Sequence, residues 1–286
     1  MSQDGPAVAG RNHALGLVVD RLACPVCRAG LGLDGGALAC PAGHRFDVAR
    51  QGYVTLLAGR RVFAGDDAAM VGAREAFLRR GHYAPLARAV REAVGDVTGL
   101  CVDLAGGTGY YLSAVVRDRP GLVGLDLDAS TPALRRAARA HERVAAVGAD
   151  VWRPLPVRDG AADAVLSVFG PRNVPEIRRI LAPAGRFVMV TPTPDHLREL
   201  VDALGLVRVD PDKERRLAAQ LTDLELERED RVEYRAPMTR ADVRDEVAMG
   251  PSAHHVAPET LDAALADLPE PVDVTVAVTV RTFRTW

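Results

Sequence analysis

From Leu100 onward the apolar residues come in short runs separated by stretches of helical spacing, the mark of strands buried on both faces and joined by covering helices. The runs are Leu100 to Leu104, Leu122 to Leu125, Ala145 to Val147, Ala164 to Phe169 and Arg186 to Thr191. They predict an α/β fold built on a parallel sheet. Val272-Asp-Val-Thr-Val-Ala-Val-Thr-Val280 alternates residue by residue, which predicts a last strand finishing that sheet. Two amphipathic helices are expected ahead of it. One covers Asp67 to Arg80 with Met70, Ala73, Phe77 and Leu78 on one face, and the other runs from Pro85 to Val94 with proline in its first turn. Residues 210 to 270 carry a weaker signal. There Glu225-Leu-Glu-Arg-Glu-Asp230 reads as a solvated acidic edge and His254-His255 as part of a loop.

Before the helices the pattern is different, because cysteines and glycines replace apolar periodicity. Cys24-Pro-Val-Cys27 and Cys40-Pro-Ala-Gly-His44 are two close ligand pairs separated by twelve residues, with Gly35-Gly36 supplying a hairpin turn between them. This is the spacing of a structural zinc site, with Cys24, Cys27, Cys40 and His44 as ligands. Four protein ligands fill the tetrahedron and leave no position for water or substrate, so the metal is expected to hold the module together and to do no chemistry. Zinc binding on the order of 10 kcal/mol suffices to order a segment with so little core of its own. Phe46 to Leu57 then reads as extended, and Gly59-Arg60-Arg61 as a linker.

The strand from Leu100 runs into Asp103-Leu-Ala-Gly106-Gly107-Thr108-Gly109-Tyr110, a glycine-rich turn opening a helix. Such a turn admits a nucleotide-like cofactor close to the backbone. A dinucleotide site wants a third glycine where Leu112 stands, which argues against a nicotinamide oxidoreductase. S-adenosylmethionine has a cationic amino group and a sulfonium instead of phosphates, and acids at the strand ends suit it. Asp103 ends the first strand, Asp126 the second, where it is expected to accept from the ribose hydroxyls, and Asp150 follows the third, near an adenine amino group.

Composition bounds this picture without sharpening it. The chain has 286 residues, about two domains' worth, with 48% hydrophobic and 26% charged residues, as in a soluble globular protein. No apolar run approaches the roughly 18 residues of a membrane span and no secretory start is visible, so a cytoplasmic protein without membrane contact is expected. The net charge of -2 gives no global field for a polyanion. Residues 1 to 61 nevertheless hold seven arginines against four aspartates, enough for a mildly basic lobe that grips RNA.

Taken together, these motifs resemble a class I S-adenosylmethionine-dependent methyltransferase and, more closely, the 23S rRNA guanine-N1 methyltransferases of the RlmA and tylosin-resistance type. The resemblance covers nearly all of residues 20 to 286. It rests on the two knuckles, Phe46-Asp-Val-Ala-Arg-Gln-Gly-Tyr53, Gly81-His82-Tyr83-Ala-Pro85-Leu86, the Asp103 to Gly109 loop, Phe169-Gly-Pro171-Arg-Asn173 and the Thr191-Pro192 segment running to His196-Leu197. It implies a Rossmann-like domain with a small N-terminal zinc-binding lobe that helps to recognise an rRNA hairpin. The corresponding division is a tail at 1–19, the zinc lobe at 20–58, linking helices at 59–98 and the methyltransferase domain at 99–286. By the same resemblance Tyr83, Gly107, Thr108 and His196 contact the cofactor, with Gly109 completing the loop. Ala105 departs from the family by standing at the loop's usual first glycine. Arg172-Asn173 and Val201 to Leu206 favour the tylosin-resistance branch, hence a target guanine of the position-748 type over the 745 type and a role in macrolide resistance.

Methyl transfer to guanine N1 requires placement, exclusion of water and removal of the N1 proton. In the loop after the fourth strand Phe169 is expected to stack on the target base, unless it is merely the last core residue of its strand. Asn173 would read the base edge and Arg172 would favour the O6-enolate or hold a phosphate. No general base stands out. A small-molecule methyltransferase and a zinc-stabilised RNA-binding protein without catalysis are the alternatives, and a homodimer is left open.

Overall fold

The computed structural model describes residues 13–57, 65–206, 221–250 and 258–285. The Gly59-Arg60-Arg61 linker, His254, His255 and residues 1–12 of the expected tail lie outside the described residues.

The N-terminal lobe is a three-stranded antiparallel sheet of β1 (Gly32–Asp34), β2 (Ala37–Ala39) and β3 (Arg45–Asp47). Its last extended piece, β4 (Val54–Thr55), leaves this small sheet and pairs in parallel with β7 (Val144–Gly148) of the large one. Helices α1 (Ala68–Arg79) and α2 (Ala84–Val94) follow. Asp67 starts α1 because its carboxylate accepts from the amides of Ala69 at 2.8 Å and Met70 at 2.9 Å, groups that the first turn leaves without helical partners.

The large sheet is then built from β5 (Gly99–Leu104), β6 (Leu122–Asp128), β7, β8 (Ala162–Val168), β9 (Leu181–Pro192), β10 (Glu225–Met238) and β11 (Val272–Arg284). Helices α3 (Tyr110–Val116), α4 (Thr131–Ala140), α5 (Val174–Ile180), α6 (Arg198–Leu204), α7 (Arg240–Met249) and α8 (Pro258–Ala266) connect them. Its order is β10-β11-β9-β8-β5-β6-β7-β4, all parallel except for β11, which runs antiparallel to both β9 and β10. The chain winds outward from β5 in one direction and then returns to build β8 on its other side. That reversal opens a crevice at the carboxyl ends of β5 and β8.

Both faces are covered, as the near-continuous apolar runs require. On β5, Leu100, Val102 and Leu104 pack on one side with Ile177 of α5, while Cys101 packs on the other with Phe77 of α1 and Leu112 of α3. The lobe shares the first of these cores. Leu15, Leu22, Leu38 and Val54 are fully buried in one cluster with Val102, Leu125 and Val157. Backbone hydrogen bonds join Ala23 to Pro156 and Arg158 to Arg21, and the Arg28 guanidinium donates to the carbonyls of Leu155 at 2.8 Å and Val157 at 3.2 Å. The lobe therefore borrows apolar burial from the sheet as well as order from its metal.

Two sequence expectations change in detail. The strand expected over 272–280 continues to Arg284. The acidic stretch from Glu225 to Asp230 is the first half of β10, an edge strand whose exposed charges pair with β11 through Arg281–Glu229 and Arg284–Glu227. Among the described residues no helix is long and apolar enough to cross a membrane.

Candidate functional site

In the lobe, two tight turns bring the metal-ligand candidates together. The Arg28 amide closes the first turn on the Cys24 carbonyl at 2.9 Å, with Arg28 at φ 64°, and the Gly43 amide closes the second on the Cys40 carbonyl at 2.9 Å, with Gly43 at φ 85°. One ligand atom from each of Cys24, Cys27, Cys40 and His44 then lies within 4.8 Å of the others. Cys27 Sγ is 3.6 Å from Cys40 Sγ, and His44 Nδ1 is 3.6 Å from Cys24 Sγ and 3.3 Å from Cys40 Sγ. Tetrahedral zinc with Zn–S of about 2.3 Å and Zn–N of about 2.0 Å sets ligand-to-ligand edges of roughly 3.5 to 3.8 Å. The donor set fits structural zinc, and the sulfurs are too far apart for a disulfide.

At the crevice between β5 and β8 lies a cleft of about 740 Å³. Its floor is the glycine loop. Ala105 takes φ 55°, a left-handed conformation that glycine would adopt freely, and its amide is held by the Leu127 carbonyl at 2.7 Å. A Cβ on Gly106 would lie 2.3 Å from Asp126 Oδ2 and 2.9 Å from Asp103 Cγ, so the backbone rests directly on two carboxylates. Gly109, at φ 73°, lets α3 pack against Ala137 and Ala140 of α4.

Asp103 and Asp126 are register partners on adjacent strands, and both are buried. Asp103 lines the cleft, and burial, with the charge of Asp128 added, pushes its carboxyl up to about 7. Asp126 is fully buried, has no hydrogen-bond partner among the described residues, and does not line the cleft. Burial and then the neighbouring Asp103 hold its carboxyl far above the usual range. Of the two β6 carboxylates it is Asp128, and not the Asp126 expected at the ribose, that reaches the cleft. Both residues project to the same face of β6, but Asp128 stands at the strand's last position and clears the loop. It accepts from the Gly107 amide at 3.0 Å and the Ser130 amide at 2.7 Å, bonds that oppose the upward shift burial gives it. Asp150 also lines the cleft and caps the Trp152 amide at 3.0 Å.

The opposite wall is aromatic. Phe169 follows β8 at φ 56°, is 40% exposed, and stacks 5.7 Å from His196, with Tyr83 at 6.2 Å from both rings. It is thus no core residue. The turn at Phe169 carries the next residues away. Asn173 gives its side-chain amide to the Val151 carbonyl at 3.0 Å, Arg172 folds back on the Gly170 carbonyl at 3.4 Å, and neither lines the cleft. The structure therefore does not bring the two residues expected at the base edge and O6 to the cleft wall.

A polar chain runs behind the aromatics. The Ala277 amide donates to His196 Nδ1 at 3.2 Å, which leaves the ring proton on Nε2, 3.5 Å from the Tyr83 hydroxyl. That hydroxyl donates to Glu246 Oε1 at 3.4 Å. Burial pushes His196 down to about 4, so it is neutral at pH 7, and burial raises Glu246 to about 7 against the Tyr83 bond. Glu246 lines the cleft. Sequence reasoning missed both Asp128 and Glu246. The available signal for Glu246 was an acid on the apolar stripe of a helix, between Val243 and Val247 of α7.

Comparison with known proteins places the two halves separately and together. A zinc-ribbon family model described as RlmA, N-terminal, matches residues 22–60, and a model described as Methyltransferase domain matches residues 102–189. A 23S rRNA (guanine(748)-N(1))-methyltransferase of Streptomyces fradiae is 49% identical over 273 residues, spanning 93% of this chain and 98% of its own. A Micromonospora griseorubida protein named for guanine-N1 methylation of 23S rRNA is 48% identical over the same shares of each chain. Among solved structures, a Thiobacillus denitrificans S-adenosylmethionine-dependent methyltransferase has a TM-score of 0.47 and 18% identity over 70% of this chain and 90% of its own, too loose a likeness to add to the topology.

Two outcomes are expected. Cys40→Ser should lose one zinc per chain by elemental analysis, removing lobe-ordering energy on the order of 10 kcal/mol. Hydrogen exchange should then show lost protection in β1 to β3 and retained protection in β5. Zinc retained at full stoichiometry would contradict the ligand set. In calorimetry Asp128→Ala should weaken S-adenosylmethionine binding by about 1.5 to 3 kcal/mol, the value of charge-assisted hydrogen bonds, and by more than Asp126→Ala does. The reverse ranking would return the ribose to Asp126.

Proposed function

Because this chain belongs to the family of 23S rRNA guanine-N1 methyltransferases, we propose that it methylates N1 of a guanine in a 23S rRNA hairpin loop, at a site of the position-748 type, and that this modification confers macrolide resistance of the tylosin kind. The observation that carries the reading is the cleft, with an acid-floored glycine loop facing Phe169, Tyr83 and His196. The near-full-length identity to the Streptomyces fradiae protein supports the choice of nucleotide. A small-molecule methyltransferase would have little use for a basic zinc lobe fused into its sheet.

S-adenosylmethionine supplies an electrophilic methyl group, the new N1–C bond forming as the C–S bond breaks and leaves its electron pair on sulfur. In the proposed arrangement Asp103 faces the cofactor's ammonium, Asp128 its ribose and Asp150 its adenine. Gly107 and Thr108 offer backbone at close range. Tyr83 and His196 enclose the cofactor from the aromatic side, and Phe169, exposed beside them, stacks on an extruded guanine. A loop guanine can be presented in this way because no duplex partner covers its pairing edge, on which N1 lies.

The remaining requirement is an acceptor for the N1 proton, and Glu246 fills it. Its carboxyl lines the cleft and sits near 7, the range in which a base is both available and strong enough at neutral pH. The Ala277–His196–Tyr83 chain fixes its position. Neutral His196 holds the Tyr83 hydroxyl from one side, and that hydroxyl turns its proton toward Glu246.

Glu246→Gln should lower turnover by about 10²-fold or more, the usual contribution of a positioned base, with little change in S-adenosylmethionine affinity. Activity of the unaltered protein should rise with pH through about 7, since the carboxylate is the competent form above its raised pKa, and the Gln variant should lose that limb. A variant with normal turnover and an intact limb would remove Glu246 from the mechanism. Nucleoside mass spectrometry of treated 23S rRNA should find 1-methylguanine, and methyl on another atom or base would refute the proposed reaction.

A further inference from the structure

A second cavity of about 680 Å³ lies against the first, sharing the side chains of Leu78, Thr108 and Tyr110 with the cleft. Besides the start of α3, its walls come from Gln51 in the turn between β3 and β4, Arg79 at the end of α1, and Arg135, Arg136 and Arg139 along α4. The lobe and the methyltransferase helices therefore meet at this point.

The state of the arginines distinguishes the place. Many guanidinium groups elsewhere are occupied, Arg88 and Arg117 being exceptions among the described residues. Arg143 reaches the carbonyls of Val116, Arg117, Arg119 and Leu122, Arg28 and Arg179 bond to loop carbonyls, and Arg231, Arg235 and Arg284 sit in ion pairs. In the second cavity only Arg136 is held, by Glu75 at 3.1 Å. Arg79, Arg135 and Arg139 have no hydrogen bond or ion pair among the described residues, and all three are exposed. Arg135 and Arg139 are one turn apart on α4, so their like charges repel and weaken the helix. Against one carboxylate the cavity carries four cations. Arg50, beside Gln51, is also exposed and unpartnered among the described residues, whereas Arg45, the other basic residue of this stretch, is tied to Asp34.

We propose that Arg79, Arg135 and Arg139 form a phosphate-binding site that receives the backbone of the substrate RNA next to the nucleotide entering the cleft. Guanidinium forks match phosphate oxygens in pairs, and a cavity built from both lobes holds a strand in register with both. The inference rests on the functional reading above. It assigns the phosphate contacts to α1 and α4, with the lobe contributing the neighbouring wall and not Arg45.

The test uses the full-length protein, a labelled 23S rRNA hairpin fragment and anisotropy over a range of salt. The double variant Arg135→Gln/Arg139→Gln should bind more weakly and reduce the slope of log K against log salt by about 1.4 to 1.8, two contacts' worth at roughly 0.7 to 0.9 each. Its S-adenosylmethionine affinity and its turnover at saturating RNA should match the parent protein. Arg135→Lys/Arg139→Lys should restore most of the slope, because charge is kept. An unchanged slope in the Gln variant overturns the proposal, as does an equal loss of S-adenosylmethionine affinity, which would assign the arginines to the cofactor. Calorimetry with inorganic pyrophosphate separates a free phosphate ligand from RNA: tight pyrophosphate binding together with an unchanged RNA slope also overturns it. If the parent protein methylates the hairpin while the slope is unaffected, only this inference fails. If the parent does not bind the hairpin, the functional reading fails with it.

Discussion

Asp103, Asp126 and Asp128 are carried out of water on two neighbouring strands, and none of them is in an ion pair among the described residues. Carboxylates so close and so buried cannot all ionise, which is why Asp103 and Asp126 keep their protons to unusually high pH. Arg74 lines the same cleft and draws the Asp128 carboxyl down, but its guanidinium is paired with Asp66. A ligand with a positive end relieves the arrangement, and one with only phosphates would worsen it. The residues above follow from this choice, since only glycine fits over the acid pair at 106 and the chain must bend sharply at 105 to put it there. Ala105, Phe169 and Leu197 all hold positive φ around the same cleft, each at a cost of order 1 kcal/mol or more. Stability is given up at one site for a shape that accepts one kind of charge.

The parts visible in the sequence were those fixed by local chemistry. Zinc ligands sit on turns of four or five residues, and a parallel strand buried on both faces needs an unbroken apolar run, so both could be read from short windows. What was hidden depended on how far a strand extends or which way a loop leaves it. Asp126 and Asp128 lie on the same face of one strand, and only the length of β6 decides which clears the loop. Arg172 and Asn173 are four residues or fewer from Phe169, but the left-handed turn at Phe169 sends them elsewhere. Glu246 reaches the site from a helix far along the chain, and its place on an apolar stripe between Val243 and Val247 announces an inward carboxyl without saying which cavity it faces. The first half of β10 failed to show as a strand because its residues are charged on both faces, leaving no alternation to detect.

The lobe and the larger domain are better understood as one body with two sources of order. Metal fixes the knuckles, while Leu22, Leu38 and Val54 belong to a core whose other members are strands of the large sheet. Arginines do much of the joining, because a guanidinium can satisfy several carbonyls of an irregular loop at once, as Arg28 does for Leu155 and Val157. A chain almost without lysine thus uses one side chain for two tasks. Where the guanidinium groups meet carbonyls they fasten the structure, and where they meet nothing they await a partner.

The outer strand β10 has a bearing on how copies of this protein behave at high concentration. An unpaired strand edge is a template on which another chain can crystallise or aggregate, and this one is fourteen residues long. Glu225, Glu227, Arg228, Glu229, Asp230, Arg231, Glu233 and Arg235 stud it with both signs of charge, and a second β10 laid alongside would have to bring those groups into a fixed register and strip their water. Continuation of the sheet from one molecule into the next is thereby discouraged. Among the described residues this edge is open, and its charges rather than a covering element make sheet continuation through it costly.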